Sequence, residues 1–389
     1  MSKLGASDDR LPRLAWRLMW SLGLSIPIMS LLVDLTDPND LRVFGRDFAN
    51  MWVGGKMALS GRSACVFDPF CYQQAMATTL GVRAPHYFIY PPHALFVGIP
   101  FALLGYYVAL GLWTCGGLLT FVLCARSYLP GAIPPWLAPL TPAAGFAIWD
   151  GQFGLWWGAG WLACLASLER EHSRRAGTVA GLMTVKPHLG ILLAPIMIVK
   201  RKWLAIIVAA ITAGFLVGLS VLVFGAERWV SFFVITAKQQ QAFLTPLPSD
   251  FYPRLMVSAF PHFRLVGAVC FALFATVCLW SIRSISIRQL AFPTATATIL
   301  ILPYAFSYDM PVACLGFAVV IAEHWRQLAR WRIAIFALAF NTPQIAFVAP
   351  ALVPFILAAA LAEQCRLALA VNCCSARPKA GDEMKPVAE

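Results

Sequence analysis

Apolar runs follow one another along this chain, most of them approaching the roughly 20 residues that cross a bilayer core, and small groups of Lys and Arg separate them. That pattern leaves few architectures open. Inside hydrocarbon every backbone N–H and C=O must find its partner within the protein, so such runs fold as helices. Composition agrees: 60% of the 389 residues are hydrophobic and 12% are charged, where soluble domains are about 45–50% and about 25%. The expectation is an all-α polytopic membrane protein, with no room for a soluble domain of ordinary size outside the spans. The net charge of +12 does not indicate a nucleic-acid partner. The basic residues lie in short groups between apolar runs, with no continuous basic face and no interleaved aromatics.

Lys/Arg placement orients the spans. Lys3, Arg10 and Arg13 precede a first uncleaved span, Leu14–Leu35, which carries Arg17 near its start and runs outward from a cytoplasmic tail at 1–13. A first outer loop over 36–106 follows, then spans at Tyr107–Ala125, Trp136–Trp149, Phe153–Leu168, Gly177–Val185, His188–Val199 and Trp203–Phe224. The short pair around Lys186-Pro187 is expected to be tilted or broken there. A second outer loop covers 225–264, and Leu265–Ile282, Leu290–Phe306, Met310–Glu323 and a hairpin over Ile333–Leu361 lead to a cytoplasmic tail at 367–389. The scheme is a single domain of about twelve spans with both termini in the cytoplasm. Most acidic residues fall outside, among them Asp34, Asp37, Asp40, Asp47, Asp68, Asp150, Asp250 and Asp309.

The first outer loop has helical signals of its own. Phe48, Met51, Trp52, Gly55 and Leu59 share one helical face, with Gly61 to end the helix. Asp68-Pro69 reads as an N-cap followed by Pro at the first helical position, and Gly81 closes that segment. Parity makes His93–Leu104 an interfacial helix and not a span. Cys65 and Cys71 are close enough in sequence for a disulfide to be open to them. The aromatics Tyr106, Tyr107, Trp149, Trp156, Trp157 and Trp229 fit an interfacial belt.

Few residues here carry chemistry. Asp47 follows Arg46 and precedes an amphipathic helix; it suits a general base for a hydroxyl, and equally a helix N-cap. Lys186, alone between apolar segments, suits a phosphate at headgroup level, and equally a side chain snorkelling to the interface. Asp150-Gly151-Gln152 and Tyr308-Asp309 are outer turns whose polar groups fit sugar hydroxyls or helix caps. His262 is a candidate acid or phosphate contact. His86, His93, His188 and His262 show no metal-ligand spacing, so no metal or other cofactor is expected from the sequence.

Asp47-Phe48-x-x-x-Trp52 with Gly61, Phe67-Asp68-Pro69, Tyr90-Pro91-Pro92, Trp113, Gly151-Gln152, Lys186-Pro187 and Tyr304…Tyr308-Asp309 together resemble glycosyltransferase family 87. The resemblance runs through most of the chain in order. It implies the multi-span GT-C architecture, with interfacial helices in the first outer loop, and a mannosyltransferase using a polyprenyl-phosphate-mannose donor. It implies that Asp47 is the catalytic acid of the first outer loop and that Lys186 is suited to the donor phosphate. Tyr90, Gln152 and Asp309 match motif positions. A second adjacent acid is missing, since Arg46 and Phe48 flank Asp47. The expected reaction moves a hexose from the lipid phosphate to the hydroxyl of a lipid-linked or glycan acceptor at the outer face of the inner membrane, with inversion. The competing class is a lipid or polysaccharide transporter, or flippase. Its ionisable groups belong near the midplane, whereas here the acids collect at the outer ends of the spans.

Overall fold

The computed structural model of the chain describes residues 44–82, 86–131, 133–243, 264–302 and 305–375, together with Ser21, Ser25 and Ile28. Among these residues there are helices and turns and no strand. Most of the first expected span, Leu14–Leu35, the acids Asp34, Asp37 and Asp40, and half of the second outer loop, residues 244–263, lie outside the described residues.

The first outer loop folds as a small helical unit. Helices α1 (Arg46–Leu59), α2 (Ser63–Val66), α3 (Pro69–Leu80) and α4 (Leu95–Ala102) pack around Phe48, Met51, Trp52, Phe67, Tyr72 and Leu95. The predicted face of α1 is buried at Phe48, Met51, Trp52 and Gly55, but Leu59 is exposed at the helix end and the polar Asn50 is buried. Asn50 is tolerated inside because the Tyr72 hydroxyl donates to its side-chain oxygen, 3.1 Å away. Asp68 caps α3, accepting from the Cys71 N–H at 2.7 Å, and Gly81 ends it in the left-handed region. Cys65 and Cys71 are joined by a disulfide, their Cα atoms 5.2 Å apart. Helices α1 and α4 touch through backbone. A Cβ on Gly98 would lie 2.2 Å from the Met51 carbonyl oxygen, so only glycine permits this approach.

The remaining helices form the bundle. They are α5 (Tyr106–Ala125), α6 (Pro142–Trp149), α7 (Gly154–Glu169), α8 (Ser173–Leu182), α9 (Leu193–Val199), α10 (Trp203–Phe224) and α11 (Glu227–Phe243). After the second loop come α12 (Arg264–Ser281), α13 (Ile287–Ile301), α14 (Pro311–His324), α15 (Arg330–Phe340), α16 (Thr342–Val348) and α17 (Val353–Ser375). A large core joins α7, α13, α14 and α17 through residues such as Leu162, Leu165, Leu300, Phe317 and Leu361.

Three helical stretches among the described residues are long and apolar enough to cross a bilayer unaided: Tyr106–Ala125, Trp203–Phe224 and Pro350–Asn372. Helices α15 and α16 make a fourth when taken as one segment bent by 74°. The other expected spans are shorter or interrupted. Trp136–Trp149 is not one helix, because Pro139 and Pro142 restrict it to a 3-10 turn and the eight-residue α6, capped by Thr141. The segment around Lys186 is broken as expected, into α8, two 3-10 turns on either side of Lys186, and α9. The last helix continues to Ser375, past the expected start of the tail.

Candidate active site

Two turns meet to place Asp47. Gly45, at φ 72°, starts α1 in the left-handed region. Its N–H donates to the Trp149 carbonyl at 3.2 Å, and the N–H of Asp47 donates to the Asp150 carbonyl at 2.8 Å. The N-terminal N–H groups of α1 are thus satisfied by the α6–α7 turn and not by a capping side chain. The turn comes this close because Gly151, at φ 65°, presents no side chain: a Cβ there would sit 2.6 Å from the Phe48 Cβ. From the other side the Tyr106 hydroxyl donates to the Phe44 carbonyl at 2.6 Å. Asp47 therefore is not the N-cap. It lies in the first turn of α1, where the helix dipole favours a carboxylate.

Its carboxylate points to Gln152. The Gln152 Nε2 donates to Asp47 Oδ2 at 2.5 Å. The same amide's Oε1 is 3.5 Å from Lys186 Nζ, and Lys186 Nζ donates to Asp309 Oδ1 at 2.6 Å. Four of the predicted residues, from four separate stretches of chain, thus form one continuous series: carboxylate, amide, ammonium, carboxylate. Lys186 does not snorkel. Its side chain is 8% exposed and that of Asp309 is 1% exposed. An ammonium so far from water requires its carboxylate. Asp309 is oriented in turn by the Phe306 N–H, which donates to Oδ2 at 3.2 Å.

Two tyrosines complete the site. Tyr308 lies with its ring centroid 5.1 Å from Lys186 Nζ, a cation–π contact. Tyr90 is buried and packs its ring 5.4 Å from that of Phe153. Burial pushes both phenols well above their ordinary value, and the carboxylates of Asp47 and Asp309 push them further, so both stay protonated as hydrogen-bond donors.

Other candidates have different fates. His262 and Tyr304 lie outside the described residues. Trp113 is a wall residue, packed between Phe48, Phe101, Phe153 and Trp156. His93 stacks on Trp229, centroids 5.7 Å apart, with its Nε2 3.3 Å from the Thr184 hydroxyl; burial lowers its pKa, so it is neutral at neutral pH. The interfacial-belt reading of the aromatics needs correction. Tyr107 is exposed, but Tyr106 and Trp149 are buried because their rings fill the junction between the loop unit and the bundle, and Trp157 is buried in the bundle core. Sequence reasoning missed Tyr106 as a positioning residue and the His93–Trp229 stack, since neither pairing has a local signal. Among the described residues no group of three or more His, Cys, Asp or Glu side chains is placed to hold a metal ion.

Beside the site lies an apolar groove of about 520 Å³. Phe153 and Val185, the chain neighbours of Gln152 and Lys186, line it, and it continues past Trp113, Trp156, Gly160 and Ala163. A carboxylate able to take a proton, a buried ammonium and neutral tyrosine donors next to an apolar groove suit transfer chemistry on an amphiphile with a polar head.

No curated protein and no solved structure matches the chain. The sequence profile of glycosyltransferase family 87 matches residues 88–306, more than half of the 389 residues, a stretch that holds Tyr90, Gln152 and Lys186. Asp47 and Asp309 lie outside it and join these residues through the hydrogen bonds above. The chain therefore belongs to glycosyltransferase family 87 and is an all-α membrane glycosyltransferase.

Proposed function

We propose that the protein transfers a hexose, mannose on the family resemblance, from a polyprenyl-phosphate donor to a hydroxyl of a lipid-linked or glycan acceptor. The reaction takes place at the outer face of the inner membrane, within a GT-C-type bundle of about twelve spans. The observation that carries the reading is the series linking Asp47 to Lys186 through Gln152, alongside an apolar groove lined by the neighbours of both Gln152 and Lys186.

Each part has a physical role. The polyprenyl chain occupies the groove, which places the phosphate at its polar end near Lys186. Lys186 has three N–H donors; Asp309 takes one, and the phosphate takes another. Among the described residues Gln152 is the donor to the Asp47 carboxylate, at Oδ2, which leaves Oδ1 for the acceptor hydroxyl. Asp47 takes the hydroxyl proton as the oxygen attacks the anomeric carbon. The bond from that carbon to the phosphate oxygen breaks, and the electron pair leaves with the polyprenyl phosphate. A single displacement inverts the anomeric centre. General-base assistance of this kind contributes about 10²–10⁴-fold.

The test is donor choice. The purified protein in liposomes is given polyprenyl-phosphate mannose or a nucleotide-linked mannose with an acceptor extract, and the product's anomeric configuration is read by NMR. Transfer from the lipid phosphate alone, with inversion, is expected. Transfer from the nucleotide sugar, or retention, would overturn the reading.

A further inference from the structure

A second cavity, of about 640 Å³, lies between α13, α14 and α17. It is at the far end of the bundle from the site. Helix α14 starts beside Asp309 and reaches the cavity at His324, and its 14 residues rise roughly 1.5 Å each. The Lys/Arg distribution assigns this end to the cytoplasm. Nothing in the transfer chemistry uses it.

The cavity is lined by groups of both charges, an amide and apolar side chains. Arg288 lines it and is held in place: Nη2 donates to the Ser127 carbonyl at 2.5 Å, and the guanidinium lies 5.9 Å from the centroid of Tyr128, which also lines the cavity. Its other N–H groups remain for a ligand. Glu323 lines the same cavity with a side chain 46% exposed, so its carboxylate stands at the rim. Gln364, 3% exposed, lies in the wall, and neither its amide nitrogen nor its amide oxygen has a hydrogen-bond partner. Both ends of this buried amide are thus open to a ligand that accepts and donates, reached by turning the side chain into the cavity. Leu367 and Val371 supply an apolar wall. The volume falls within the roughly 300–1,000 Å³ of ligand sites.

We propose that this cavity binds the head of a zwitterionic lipid of the inner leaflet, with its phosphate on Arg288, its ammonium on Glu323, its linkage region on Gln364 and the start of its chains along Leu367 and Val371. An anionic lipid without an ammonium would satisfy Arg288 but leave Glu323 facing a like charge. The proposal is independent of the sugar chemistry assigned to the opposite face.

The full chain, purified in mild detergent and delipidated, is titrated with phosphatidylethanolamine or phosphatidylglycerol and followed by native mass spectrometry and thermal shift. The wild type should retain phosphatidylethanolamine about tenfold more tightly than phosphatidylglycerol, the scale of one charged contact. Glu323→Gln, at the exposed rim, should remove that preference without changing lipid-free thermal stability. Gln364→Leu should weaken retention of both lipids and leave lipid-free stability unchanged or higher. Equal retention of the two lipids by the wild type, an unchanged preference in Glu323→Gln, or no retained lipid at all, as for a cavity that holds only water, would each overturn the proposal.

Discussion

Lys186 and Asp309 form a buried ion pair on which both stability and the proposed phosphate contact depend. An ion pair this deep owes its stability to completeness, since removing one partner strands a charge and costs about 3–5 kcal/mol. Asp309→Asn should therefore lower the thermal midpoint sharply. Replacing both partners, Lys186→Met with Asp309→Leu, should recover most of that midpoint while transfer stays lost, because the apolar pair packs but cannot hold a phosphate. A single variant as stable as the wild type would show that the pair is not the buried, mutually dependent unit described here. At this scale the sequence was informative about identity and silent about contact. Asp47 stood out as an acid ahead of an amphipathic helix, and Gln152, Lys186 and Asp309 as polar residues in turns between apolar runs, but nothing local foretold that Gln152 would bridge the others. Its amide joins residues separated by 105 and 34 positions, and such closure is a property of the whole bundle.

At the scale of elements, the site depends on helices brought together by missing side chains. Helix α1 carries Asp47 at one end and rests on α4 through Gly98. Gly98→Ala would force a Cβ to within 2.2 Å of the Met51 carbonyl, so the two helices must separate. Transfer should fall at least about tenfold, as expected when a catalytic group is displaced by a fraction of an ångström to an ångström. Unchanged turnover would mean that the α1–α4 contact does not set the position of Asp47. Local punctuation was readable in advance: the Asp68-Pro69 cap, the Gly81 stop and the break at Lys186-Pro187 all follow from residue chemistry that acts within a turn. The Trp136–Trp149 segment is interrupted for the same local reason, because two prolines end helices regardless of hydropathy. The buried aromatics were misjudged because an amphipathic ring at a span end has the same sequence signature whether it faces lipid or a neighbouring helix unit.

For the molecule as a whole, a site built from distant turns sits beside a groove suited to a long apolar chain. If the groove holds the polyprenyl tail, Ala163→Trp, far along it, should raise KM for a long-chain lipid-phosphate sugar and leave a short-chain analogue unaffected. Equal effects on both would argue that the tail lies elsewhere. The all-α class, membrane character and family could be read from hydropathy and ordered motifs, since both extend over most of the chain. The convergence of four polar side chains could not, since it depends on helix crossings that no periodicity encodes. The role proposed for Asp47, base for the acceptor hydroxyl, is read most directly in single-turnover transfer from polyprenyl-phosphate mannose by Asp47→Asn. The variant should keep wild-type thermal stability and donor binding while its transfer rate falls by about 10²–10⁴. A well-folded Asp47→Asn protein that transfers at the wild-type rate would rule that role out.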